Sequence, residues 1–210
     1  MNKYYKSNRN NEEVEETTQR APLGFSVKQS TSHCFRVHIN TEFYGAEHYS
    51  QIFDLLLEAG EEDVVQFYIE SCGGDMAGLN TLLEGIKLTD AHVVAVIVGH
   101  AHSAASLLAL NCHDIVVCDG AEMLCHSVRL GSAGKIVDCT DYLTHSRKVS
   151  NKLMTETYEG FLTEEEIEAV LNGKELWLDA DQIRERLNQR TEYITSEEES
   201  NAEVKRDTDL

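Results

Sequence analysis

Positive charge is scarce in this sequence: 18 Lys and Arg stand against 37 Asp and Glu, a formal net charge of −19. Such a chain has no electrostatic footprint for a phosphate backbone or an anionic bilayer, which argues against nucleic-acid binding and membrane-surface docking. No apolar run is long enough to span a bilayer. The first twenty residues, MNKYYKSNRNNEEVEETTQR, lack the apolar centre of a signal peptide. The six cysteines (Cys34, Cys72, Cys112, Cys118, Cys125 and Cys139) contain no C-x-x-C pair. Several sit in apolar runs, so reduced thiols in the cytoplasm are expected rather than a disulfide framework. There is one proline, Pro22, no internal repeat and no G-x-x-x-x-G-K-[ST] loop. Any ATP dependence would therefore come from a partner chain.

What is present fits one α/β domain with tails. Residues 1–24 read as a polar, flexible tail, residues 25–195 as the domain, and residues 196–210 as an acidic, coreless tail. Strands are expected at 34–39, 64–69, 93–98, 115–118 and 123–125. Helices are expected at 46–59, 76–88, 103–110, 138–161, 163–171 and 179–187. The 163–171 helix opens on a capping-box pattern, TEEE. The β-branched run Val93–Val98 reads as a strand covered on both faces. Repeated βα units imply a parallel sheet with ligands at its carboxyl edge.

Three strands end unusually. The first leads into Ser71-Cys72-Gly73-Gly74, a turn that could aim backbone N–H groups at an anion or simply be tight. The second leads into Gly99-His100-Ala101-His102-Ser103. Ser103 stands where a helix begins, as a nucleophile or, for a lone serine the commoner case, as an N-cap. The third ends in Met123-Leu124-Cys125-His126, and His126 could be a general base or a structural histidine. His100 and His102 have no third ligand placed by the sequence, so no metal is expected. Cys72 has no partner base, and the run Glu164–Glu168 reads as a solvated helix face.

The three strand ends together resemble the Clp protease proteolytic subunit family. Its G-x-A-x-S segment matches Gly99, Ala101 and Ser103; its M-x-x-H matches Met123 and His126. Gly131, Gly134 and Asp138 keep the places of the glycine-rich stretch that leads to a long helix. The family's S-P-G-G is Ser71-Cys72-Gly73-Gly74, with cysteine for proline. The resemblance covers about Phe35 to Ile183. It implies a spiral of ββα units, shared with crotonase-like enzymes, with the 138–161 helix as a protruding handle. It further implies a serine endopeptidase with Ser103 as nucleophile, His126 as base, and Gly74 and Ala104 as oxyanion donors. Leu130, Gly131 and Ser132 would pair with substrate as an added strand. Glu175, two before Trp177, stands where the family has aspartate, and Asn172 is the other candidate third member.

No cofactor is implied. Expected partners are polypeptide substrates, further copies of the chain in a ring, and an AAA+ unfoldase. The terminal segments depart from the family and look more like phage-encoded relatives, which would act in the host cytoplasm. The alternatives are a head-maturation protease, a catalytically silent assembly subunit and a crotonase-like acyl-CoA enzyme. Fluorophosphonate labelling separates the last from a serine peptidase.

Overall fold

The computed structural model describes residues 32–208, with side chains through Ser196. The expected tail over residues 1–24 lies outside the described residues. Strands β1 (Cys34–Ile39), β2 (Val64–Ser71), β3 (His92–His102), β4 (Asp114–Val117), β5 (Glu122–Cys125) and β6 (Leu176–Asp179) form a single sheet. Its order is β1-β2-β3-β5-β6, with β4 also on β3. The eleven-residue β3 serves two neighbours: Val94–Ile97 pair with β4, and His100–His102 pair with β5.

The helices are α1 (Ser50–Glu58), α2 (Met76–Leu88), α3 (Ala104–Leu110), α4 (Ile136–Tyr158), α5 (Glu164–Leu171) and α6 (Ala180–Thr208). A 3-10 turn over Ala46–His48 precedes α1 where the sequence suggests unbroken helix. The expected capping box is made: Thr163 Oγ1 accepts from Glu166 N–H, and the Glu166 carboxylate accepts from Thr163 N–H.

The core packs Val65, Phe67, Ile69, Val93, Ala95 and Ile97 against Leu56, Leu79, Leu82 and Leu108. All seven residues of α3 are buried. In contrast, α4 buries only Met154, Thr157 and Tyr158, and Ile136 and Val137 near its start are exposed.

Three expectations need correction. First, β3 is fully covered on one face only. Val94 and Val96 are half-buried and Val98 is exposed, although both faces are apolar. Second, β6 runs antiparallel to β5, so the sheet is not wholly parallel; four residues are too few to show a period. Third, the helix expected to end at Leu187 continues to Thr208. Its continuation is rich in Glu, Arg and Lys, good helix formers that need no core. Arginines fasten its start: Arg186 makes a forked pair with Glu166 at 2.7 Å, and Arg190 donates to the Leu110 carbonyl at 2.9 Å. Among the described residues no helix is long and apolar enough to cross a membrane.

Candidate active site

Ser103 joins β3 to α3 with φ 58° and ψ −123°, and is the sole non-glycine residue with positive φ among the described residues. An L-residue adopts that conformation only where its surroundings impose it, at a cost of about 1–3 kcal/mol. The imposing contacts are visible: Ser103 N–H donates to the Leu124 carbonyl on β5 at 2.9 Å, and Ser103 C=O receives the first helical N–H groups. Ser103 occupies the N-cap position of α3, but its side chain makes no capping bond, which leaves the hydroxyl uncommitted to the helix. A strained strand-to-helix turn at a serine that makes no capping bond has the backbone geometry of a nucleophile elbow.

The double-glycine turn is packed against this elbow. Gly73 has φ +88°, and a Cβ placed on it would lie 2.7 Å from Ser103 Cβ and 2.8 Å from Ala104 N. Gly74, at φ +141°, closes against Phe43: Phe43 N–H donates to Gly73 C=O at 2.8 Å, and Asp75 N–H donates to Phe43 C=O at 2.9 Å. Glycine is required where backbone approaches backbone this closely. Among the described residues these bonds leave Gly74 N–H without an acceptor. Ala104 N–H, the first of α3, has no intrahelical partner by construction. Two unengaged N–H groups therefore adjoin this region, Ala104 next to the serine in the chain and Gly74 next to the packed Gly73.

His126 follows the last residue of β5. The antiparallel register pairs Cys125 with Leu176, and its next step sets His126 opposite Glu175. Facing residues in such a pair project to the same side of the sheet. The Glu175 carboxylate nevertheless meets Arg129 Nη2 at 3.0 Å. Both partners are substantially exposed, at 44% and 81%, so the pair is solvent-screened and adds little to stability. Burial pushes the His126 pKa below its ordinary 6.5 and the Arg129 cation adds to this, while Glu175 and the Ser127 backbone pull the other way. The ring is thus neutral at pH 7 and able to accept a proton. His126 makes no hydrogen bond to Ser103 or Glu175 among the described residues.

Leu130, Gly131 and Ser132 lie in an exposed stretch outside any strand. Leu130 lines a cleft of about 390 Å³ together with Val128, Leu143, Arg147 and Asn172. Asn172 caps the C-terminus of α5 and reaches this cleft; Glu175 is the candidate that the register brings to His126. The His100 and His102 rings lie tilted to one another with centroids 5.0 Å apart, and His102 packs edge-on with Trp177. His102 Nε2 lies 3.1 Å from Glu122 Oε1, an ion pair only when the ring is protonated. Burial lowers the pKa of His102. Cys72 is exposed beside the glycine turn.

The family model for Clp protease matches residues 37–186. The chain belongs to the Clp protease family. A search of the curated proteins finds no match. Membership of a protease family makes peptide-bond hydrolysis the relevant chemistry, and the matched span contains the serine elbow, the glycine turn, His126 and Glu175. Within this Clp protease domain, Arg129 escaped sequence reasoning. It stands three residues after the histidine in a loop, and only the folded register reveals what it pairs with. Ser106 and Tyr158, 52 residues apart and in contact, carried no sequence signal either.

Proposed function

We propose that this chain is a serine endopeptidase subunit of a self-compartmentalising Clp-type protease. The observation that carries the reading is the strained, uncapped Ser103 packed beneath a double-glycine turn, one strand from His126. Ser103 Oγ attacks the scissile carbonyl, and His126 takes its proton and returns it to the leaving amine. Gly74 and Ala104 N–H groups receive the oxyanion. Glu175 orients the imidazole, and the Leu130–Ser132 stretch takes substrate as an added strand. The test is a peptide-turnover assay with fluorophosphonate labelling of the purified chain. A label mapped to Ser103 supports the reading; turnover without labelling contradicts it.

One observation favours a second reading, a silent assembly subunit: the Glu175 carboxylate is engaged by Arg129. The two readings separate by turnover, which a silent subunit lacks; in an active chain the pH profile tests the roles of Glu175 and Arg129. Turnover needs neutral His126, so it falls as pH drops through the His126 pKa, below 6.5. Arg129→Gln removes a cation that lowers this pKa, so the acid limb of kcat/KM moves to higher pH. Glu175→Gln removes an opposing charge and moves the limb lower, with kcat down at least about tenfold through lost imidazolium stabilisation. Unmoved limbs in both variants would remove Glu175 and Arg129 from the site.

The ring is supported by α4. Most of it is unburied, and it carries exposed Ile136, Val137, Tyr142 and Val149. Light scattering is expected to give a multimer, and Ile136→Asp with Val137→Asp a smaller species. A monomeric mass at all concentrations would refute compartmentalisation.

A further inference from the structure

A buried polar chain runs beneath the Ser103 elbow. Ser106 and Tyr158 have no more than trace exposure. Ser106 Oγ donates to Ser103 C=O at 2.7 Å and lies 3.2 Å from Tyr158 Oη. A serine hydroxyl has one proton. Ser106 gives its proton to the Ser103 carbonyl, so Tyr158 must be the donor in their contact. The Cys125 thiol, adjacent to His126, rests against both hydroxyls.

Ser103 C=O also accepts from Ser106 N–H at 3.0 Å and Leu107 N–H at 3.3 Å. Three donors on one carbonyl hold its direction firmly. That carbonyl shares a planar peptide unit with Ala104 N–H, so fixing one aims the other in the opposite direction. The angle that rotates this plane is the Ser103 ψ of −123°, which belongs to a strained conformation. Relaxation of ψ would swing the N–H away from the site.

Resting on the peptidase reading, we infer that Ser106 and Tyr158 are positioning residues that aim the Ala104 oxyanion donor by restraining the Ser103 carbonyl. Tyr158 is the last residue of α4, so the aim of this donor depends on where that helix enters the core.

The test compares Ser106→Ala, Tyr158→Phe, Thr157→Val and Ser103→Ala in peptide turnover, thermal melting and affinity for a peptide boronate. The boronate's tetrahedral adduct places an oxygen in the oxyanion position. Complete loss of an oxyanion donor costs roughly a hundredfold or more in kcat, so a misaimed one should cost about tenfold. Ser106→Ala should therefore lower kcat about tenfold with KM little changed, and weaken the boronate in parallel. Tyr158→Phe keeps the ring in the core and should show a smaller fall in the same parameter. Thr157→Val cuts the separate tie to Asn111, a 3.0 Å bond, and should leave kcat intact. If Ser103→Ala is inactive while folded Ser106→Ala and Tyr158→Phe keep wild-type kcat and boronate affinity, the positioning role is overturned alone. If Ser106→Ala does not fold, Tyr158→Phe decides by the same readouts. A wild-type chain without turnover, or an active Ser103→Ala, overturns this inference together with the peptidase reading.

Discussion

Ser103→Ala is expected to abolish peptide cleavage and fluorophosphonate labelling while leaving the fold intact. The expected fall in kcat is on the order of a millionfold, as in serine proteases that lose the nucleophile. The variant should fold because the hydroxyl makes no capping bond whose loss would weaken α3. Alanine keeps the Cβ, so the backbone conformation and its strain are unchanged, and the thermal midpoint should stay within a degree or two of wild type. Peptide turnover with circular dichroism checks both halves of the claim. Retained activity in a folded variant would remove Ser103 from the mechanism.

Gly73→Ala is expected to be the most damaging change outside the proposed triad. The new Cβ would lie 2.6 Å from His102 O, 2.7 Å from Ser103 Cβ and 2.8 Å from Ala104 N. None of these atoms can be moved by a change of rotamer, and the φ of +88° disfavours alanine even with space available. The turn must back away from the elbow, taking the Gly74 N–H with it. Loss of an oxyanion donor alone costs roughly 100- to 1,000-fold in kcat, so at least that loss is expected here. Thermal stability should fall as well, since turn and elbow brace one another. Gly120→Ala, where a Cβ meets nothing within 4 Å, serves as the control and should be near neutral. Turnover of Gly73→Ala within tenfold of wild type would mean that the turn does not supply the donor.

Much of the site was legible because motif spacing survives translation into strand ends. Ser103, His126 and Gly74 sit at the carboxyl edge of adjacent parallel strands, and there the alternation of strand and helix places them. Helix α2 begins and ends where periodicity puts it, and Thr163 caps α5 as its spacing suggests. What could not be read is whatever depends on pairing between distant segments. The register that sets Glu175 opposite His126 belongs to a four-residue strand with no period of its own. The open face of β3 was hidden because Val94, Val96 and Val98 are as apolar as the buried Val93, Ala95 and Ile97. The extent of α6 was missed because lack of a core was taken as lack of a helix.

The two sides of this site differ in how tightly they are held. Ser103 opens onto α3, whose every residue is buried, whereas the chain after His126 runs exposed and outside any strand from about Leu130 to the start of α4. Opening of α3 therefore demands something close to global unfolding, while the stretch beyond His126 can open locally at small free-energy cost. Amide exchange should be slow on the serine side and fast on the histidine side. On the peptidase reading, mild denaturant would silence turnover first by loosening the Leu130–Ser132 stretch proposed to pair with substrate, with the serine elbow still folded, and the loss would reverse on dilution.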